Sequence, residues 1–347
     1  MSPTLPERFV QQAVQCEVHG SPLNAALLRG AAAEIDRPGP VHDLLEPLAA
    51  DPHGSVPSLR FAGALHHLVL DRQAPLLALH YPSVGGTAGA EGAWEVAREV
   101  VRDVPELARL VRRPVQTNEV GRSAALFGGL QHVVARTRLP VRLLEVGASA
   151  GLNLRVDRFA YEVGRRVLGD PGSAVRLRQP WQGSLPPDVP VEVVARRGCD
   201  PGPLDPTSTA DRLTLTSYVW GDQVARFERL RAALAVAATA PATVEPVPAS
   251  AFLERELAEP VPGVVTVVWH SVVWQYLDAA ERAALVRSLA EAGARATAAA
   301  PLAQLSFEPE RDGRGGYRFE VYVTTWPGGG RRRLAGAQGH GPPVVWA

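Results

Sequence analysis

Apolar residues recur at three- and four-residue spacings over 8–18 (RFVQQAVQCEV), 21–34 (SPLNAALLRGAAAE), 58–71 (SLRFAGALHHLVLD) and 93–111 (AWEVAREVVRDVPELARLV). That period gives a helix one buried stripe. Ser21 followed by Pro22 predicts an N-cap with proline at the first helical position. No alternating pattern occurs in the first 138 residues. At Pro140 the texture changes. VRLLEVG (141–147) is a short apolar run entering glycines and predicts a first strand, and LNLRVDRFA (152–160) then predicts a helix. Further strands are expected at VEVVARRG (191–198), TVEPVP (243–248), GVVTVVW (263–269) and PLAQLSFEP (301–309). YRFEVYVTTW (317–326) alternates as a half-buried antiparallel strand, and PPVVWA closes the count at seven. Between them, 212–238 is mostly helical, and Asp278 with Glu281 predicts a capping box opening a helix to about Ala292. Residues 161–190 predict an inserted hairpin around GDPG. Strands alternating with helices and ending in a hairpin argue an α/β unit, a mostly parallel sheet with an antiparallel C-terminal strand. The expected organisation is an all-helical domain at 1–138, capping the sheet's carboxyl edge, and a sheet domain at 139–347.

Composition then removes whole chemistries. The 347 residues contain no lysine, so all 36 cations are arginine, balanced by 36 acids. Schiff-base lysine, pyridoxal phosphate linkage and a Walker-type phosphate lysine are therefore excluded. Zero net charge gives no field towards nucleic acid or an anionic membrane. Cys16 and Cys199 make no disulfide framework and have no metal-ligand spacing; His42, His66 and His67 show none either, so no metal is expected. MSPTLPERFVQQ lacks the basic and apolar regions of a signal peptide, and no run of about 18 apolar residues occurs. The expectation is a cytoplasmic protein with no nucleic-acid or membrane partner.

The sharpest word is Glu145-Val-Gly147-Ala148-Ser149-Ala-Gly151-Leu-Asn153, between a strand and a helix. Glycines let the backbone turn tightly and let a ligand approach it, and ligands of open α/β sheets bind at strand carboxyl ends. Three readings compete. In the first, E-x-G-x-x-x-G is a Rossmann-like loop for S-adenosylmethionine, which has no phosphate and needs no lysine; Glu145 would meet its ammonium end. In the second, Gly147-Ala-Ser149-Ala-Gly151 is the G-x-S-x-G elbow of a serine hydrolase, with His340 as a late histidine. In the third, the turn holds no ligand. The helical first half lacks the strands that should precede an elbow, and Glu145 has no task there, which favours the first.

EVGASAGLN, Arg196-Arg-Gly198-Cys-Asp200-Pro-Gly-Pro-Leu-Asp205-Pro206 and HSVVWQYL (270–277), with QTNEVGR (116–122) and Gly339-His340-Gly341, resemble the family known as domain of unknown function 2332. The resemblance spans nearly the whole chain. It implies a class I S-adenosylmethionine-dependent methyltransferase-like fold and supplies no substrate.

On the first reading, Gly147, Ala148, Ser149, Gly151 and Asn153 join Glu145 as cofactor contacts. Asp200 follows the second strand and would take the ribose hydroxyls, the inserted hairpin explaining its distance from Gly151; the alternative is a loop acid opening a proline-rich turn. Ser250, after the third strand, would lie near the adenine or cap the next helix. His270 and Ser271 close the fourth strand, where a base would face the methyl acceptor, a small molecule. Against this, His270 is a satisfied strand-end histidine. Trp274 would wall the substrate site or belong to the core. Asn118, Glu119 and Arg122 would lid the pocket and meet substrate charge, or cap a helix with a solvated first turn. Arg331-Arg-Arg333 predicts a solvated loop. A methyltransferase-type fold that binds without catalysis is the non-enzyme rival.

Overall fold

A computed structural model describes residues 3–51, 53–311 and 317–347. The helices are α1 (Leu5–Val18), α2 (Pro22–Glu34), α3 (Pro40–Leu45), α4 (Pro57–Leu70), α5 (Pro75–Ala78), α6 (Ala93–Asp103), α7 (Glu106–Leu110), α8 (Ser123–Thr137), α9 (Thr209–Ser217), α10 (Val224–Thr239), α11 (Ala249–Glu256) and α12 (Ala279–Arg295). The strands are β1 (Val141–Val146), β2 (Ala160–Val163), β3 (Arg166–Gly169), β4 (Arg176–Arg178), β5 (Trp181–Gly183), β6 (Val193–Cys199), β7 (Thr243–Glu245), β8 (Val265–Ser271), β9 (Leu302–Arg311), β10 (Tyr317–Trp326), β11 (Gly330–Gln338) and β12 (Gly341–Trp346). Among the described residues no helix is long and apolar enough to cross a membrane.

The chain divides into two compact units, residues 1–117 with 208–228, and 118–207 with 229–347. The first unit is helical. Prolines open α2, α3, α4 and α5, where the missing N–H costs nothing and the fixed φ suits a helix. Its core packs Phe9, Leu27, Phe61 and Leu65, with Trp220 contributed by the 208–228 segment. Ser21 occupies the N-cap position of α2, but its hydroxyl accepts no backbone N–H of the helix. Instead its hydroxyl donates to Asp222 Oδ1 (2.6 Å), and Asp222 Oδ2 takes the Leu23 N–H (2.9 Å). The helix expected over 93–111 breaks at Val104-Pro105 into α6 and α7.

The second unit is built on a sheet of nine strands, not seven, in the order β5-β12-β11-β10-β9-β8-β1-β6-β7. Five of the eight pairings are parallel. β1 and β8 are buried almost throughout, as expected of strands covered on both faces. Two strands escaped the sequence reading. Arg331-Arg-Arg333 lies on β11 rather than in a solvated loop, because β10 supplies partners. Arg333 Nε donates to Glu320 (2.6 Å), and the Arg331 guanidinium lies 3.7 Å from the Tyr322 ring centre and bonds Glu310 on β9 (3.1 Å). β5 is three residues long and joins the far edge of the sheet beside β12.

The insertion is also redrawn. Its hairpin turn is at Gly164-Arg165, between β2 and β3, and GDPG begins at Gly169, the last residue of β3. β4 pairs with β2 to make a three-stranded sheet. An aromatic stack holds it: Phe127 of α8 lies parallel to Tyr161 (4.3 Å), which lies parallel to Trp181 (5.8 Å). The segment after the first strand is not an α-helix but a 3₁₀ stretch, Leu152–Arg158. α8, preceding β1, packs closely on the sheet because Gly128 and Gly129 have no side chains. A Cβ at Gly128 would stand 2.0 Å from the Trp346 ring, and one at Gly129 would meet Leu305 at 2.9 Å.

Gly128→Val should therefore destabilise the protein by roughly 2 kcal/mol or more, because the ring it strikes is fixed in the core. Urea unfolding monitored by circular dichroism measures this, and an unchanged midpoint would contradict the packing.

Candidate functional site

β1 has β6 on one side and β8 on the other, all parallel; β6 and β7 extend the first side before β8 and β9 extend the second. Connections leaving the carboxyl ends on either side of such a reversal diverge and open a crevice. Glu145 and the glycine bend stand at this point. Gly147, Ser149 and Gly151 take positive φ of 70°, 51° and 64°. Ser149, as a non-glycine, adopts this only because its surroundings enforce it.

The bend turns its amides inward. The N–H groups of Gly147 and Ala148 both donate to the Cys199 carbonyl (2.9 and 3.0 Å). Ser149 N–H donates to Asp200 Oδ2 (3.0 Å), Gly151 N–H to Ala148 O (2.7 Å) and Leu152 N–H to Asn118 Oδ1 (2.8 Å). These five amides form no anion-binding nest, and the 3₁₀ stretch behind them is too short to bring a helix dipole. The two glycines are accounted for by the chain's own side chains. A Cβ on Gly147 would lie 2.3 Å from Val273 Cγ2, and one on Gly151 would lie 2.7 Å from Val244 Cγ2. Ala148 fits against Gly198 of β6, where a Cβ would meet it at 2.7 Å.

What the bend offers a ligand is Glu145. The residue is 2% exposed; Oε2 makes no well-formed hydrogen bond, and the side-chain donor beside the carboxyl is the indole of Trp269, its register partner on β8. Burial pushes the carboxyl up to about 8, against the opposing pull of the Arg155 guanidinium. Arg155 is spent on carbonyls, donating through Nη1 to Gly151 (2.6 Å) and through Nε to Ala240 (2.7 Å). Burial therefore favours the neutral acid at neutral pH, with the Trp269 indole as its side-chain donor.

The other predicted residues fall into two hydrogen-bonded sets. In the first, Asp200 follows β6 directly, and each of its oxygens accepts one amide, from Ser149 and from Gly202 (2.9 Å). Asn153 Nδ2 donates to the Glu119 carbonyl (3.3 Å), while Glu119 Oε1 accepts the Gly121 N–H (2.9 Å). Glu119 caps the turn leading to α8, as one reading of that segment expected, but it is buried rather than solvated. Asn118 and Glu119 therefore brace the bend from outside it.

The second set lies at the end of β8. Arg122 donates to the carbonyls of Ser271 (Nη1, 3.2 Å) and Gly339 (Nε, 3.1 Å). His270 is the register partner of Val146, so this set adjoins the bend. His270 Nδ1 lies 2.8 Å from Glu308 Oε1, Nε2 lies 3.0 Å from the Gln304 amide nitrogen, and the ring stacks on Trp274 at 5.6 Å. With Gln304 donating, Nε2 is the acceptor and Nδ1 carries the hydrogen. Both ring nitrogens thus have side-chain partners on β9. Ser250 belongs to neither set. It sits in the first turn of α11, after the Pro248 N-cap, and its N–H donates to Glu281 Oε1 (2.9 Å). Glu281 is thereby diverted from the expected capping box, of which only the Asp278 half forms (2.8 Å).

Glu308, Gln304, Arg155 and Val273 were not singled out from the sequence. Glu308 and Gln304 alternate along β9 among apolar neighbours, a pattern that fits any half-buried strand.

Over residues 6–346 the chain matches the family described as "Uncharacterized protein conserved in bacteria (DUF2332)". No curated protein and no solved structure matches it.

The raised Glu145 carboxyl has a signed consequence for stability. Below its ordinary value of 4.5 the group is protonated in both folded and unfolded chains. From there to about 8 the unfolded chain gives up the proton first, so folding loses stability as pH rises, and the loss then levels off. Glu145→Gln should raise the melting temperature at pH 8 by at least about 2 °C relative to wild type, and by little at pH 4.5. Scanning calorimetry at the two pH values tests it, and an equal shift at both would show that the carboxyl is not buried neutral.

Proposed function

The chain belongs to this family of proteins conserved in bacteria, and we propose that it binds S-adenosylmethionine at the bend after β1 and methylates a small molecule. The observation that carries the reading is Glu145: a carboxyl buried to 2% exposure and pushed towards its neutral form, at the point where the strand connections reverse. A cation brought beside it would convert a costly neutral acid into an ion pair. The inward amides fit a ligand without phosphate. We read β7-β6-β1-β8-β9 as a Rossmann-like arrangement, the crevice beyond β1 and β8 taking the ligand.

The remaining residues have places on this reading. Asp200 uses one acceptor site on each oxygen, and a carboxylate has room for ribose hydroxyls as well. Ser250, after β7, would lie towards the adenine. Arg122, held by two carbonyls at the end of β8, would meet the ligand's carboxylate. Ser271 and Trp274 would border the acceptor. A sulfonium carries its own leaving group, so the chain's contribution is to hold an acceptor in line with the methyl and exclude water. His270, tied by Glu308 and Gln304, would support that geometry rather than take a proton. The unpaired thiols of Cys16 and Cys199 suit a reducing cytoplasm, and the absence of net charge suits a small acceptor rather than nucleic acid.

Because Glu145 must give up its proton to pair with a cation, ligand affinity should rise between pH 6 and 7.5, with about one proton released per ligand at pH 7. Titration calorimetry of S-adenosylmethionine and S-adenosylhomocysteine in two buffers of different ionisation enthalpy measures both quantities. Glu145→Ala should weaken binding at least about tenfold and abolish the proton release. No heat at millimolar ligand would remove the proposal.

A further inference from the structure

The chain just past β8 is held in an unusual way. Val272 has φ +54°, a left-handed conformation that a β-branched side chain strongly disfavours. Such a residue persists only where its neighbours over-determine it. Here Val272 N–H still donates to Phe307 O (2.9 Å), the last rung towards β9. One residue later the ladder is replaced by a single carboxylate. Glu308 Oε1 takes the Val273 N–H (3.2 Å) and His270 Nδ1 (2.8 Å), and Oε2 takes the Trp274 N–H (3.4 Å). The far side is tied by Arg282 Nε to the Trp274 carbonyl (3.0 Å) and by the Asp278 cap of α12.

The segment so held lies over the bend. Val273 fills the space beside Gly147, while Gln275 and Tyr276 face outward, Tyr276 with 46% of its surface exposed. A ligand lying along the carboxyl edge of β1 must rest against Gly147, where the Val273 side chain now stands.

We propose that residues 272–277 are a flap over the glycine bend, hinged at Val272 and latched by Glu308, and that a ligand enters by displacing Val273. The inference rests on the ligand site proposed above. Glu308 is a positioning residue in it and touches no ligand. Its carboxylate joins three donors, from the strand end, the hinge side and the flap, so removing its charge loosens all three together. The closed flap lowers apparent affinity by the fraction of time it is shut, and trimming its underside relieves that cost.

The experiment uses the full chain and two variants. In Glu308→Gln, hydrogen exchange at amides 272–277 should quicken about tenfold or more, while exchange in β1 and α8 stays at the wild-type rate. In Val273→Ala, calorimetry should show S-adenosylhomocysteine binding about fivefold tighter than to wild type. Unchanged exchange at 272–277 in Glu308→Gln overturns the latch. Unchanged affinity in Val273→Ala, with wild type binding, overturns the occlusion. If wild type binds no S-adenosylhomocysteine, the ligand site falls, and the exchange measurement still decides the latch.

Discussion

A carboxylate placed where water cannot reach it must find a cation, find hydrogen bonds, or give up its charge. Glu145 does the last. It stands in a sheet covered on both faces, with the Arg155 guanidinium spent on two carbonyls and only the Trp269 indole as a side-chain donor. The rest of the site follows from that constraint. Neighbouring amides satisfy the chain rather than a ligand, so the crevice does not select anions through its backbone. On the proposed function it offers a carboxyl that a cationic ligand would ionise. Keeping the acid neutral costs the folded state stability above the ordinary carboxyl range, a feature expected of a binding group rather than of packing.

The fold was legible where a signal is local. The run of VRLLEVG into glycines marked β1 and its bend, and the alternation in YRFEVYVTTW gave β10 with the observed ends. The helices of the first half followed from apolar spacing and from prolines at their openings. What could not be read was set by distant partners. Three consecutive arginines look like solvent-facing loop until Glu310, Glu320 and Tyr322 from neighbouring strands are set beside them. β5 is too short to carry a pattern, and Trp181 is held by stacking on Tyr161. The 3₁₀ stretch at 152–158 keeps the apolar spacing of a helix, but Asn118 and Asn153 bind across to the preceding segment instead of leaving it free to extend.

The candidate site divides in the same way. The position of the acid and of the bend is a local property and was visible. The local tasks of Glu119 and Asp200, each taking the N–H two residues on, were within reach of the sequence; the bonds of Asp200 to Ser149, Asn118 to Leu152 and the Glu119 carbonyl to Asn153 were not, because those partners lie more than thirty residues away. His270 shows the limit most clearly. A histidine at a strand end reads as a base, yet Glu308 and Gln304 come from β9 to occupy both of its nitrogens. The same Glu308 organises the chain that covers Gly147, so the residue with the widest reach in this half of the site carried no sequence signal at all.

On the proposed function, Glu145 is a buried neutral acid that becomes an ion on meeting a cationic ligand. Its titration can be followed directly by nuclear magnetic resonance of the carboxyl carbon in selectively labelled protein, with and without S-adenosylmethionine. The carboxyl should titrate near 8 in the free protein and below neutrality with ligand bound. An ordinary glutamate midpoint in the free protein, or a midpoint that does not move with ligand, would contradict it.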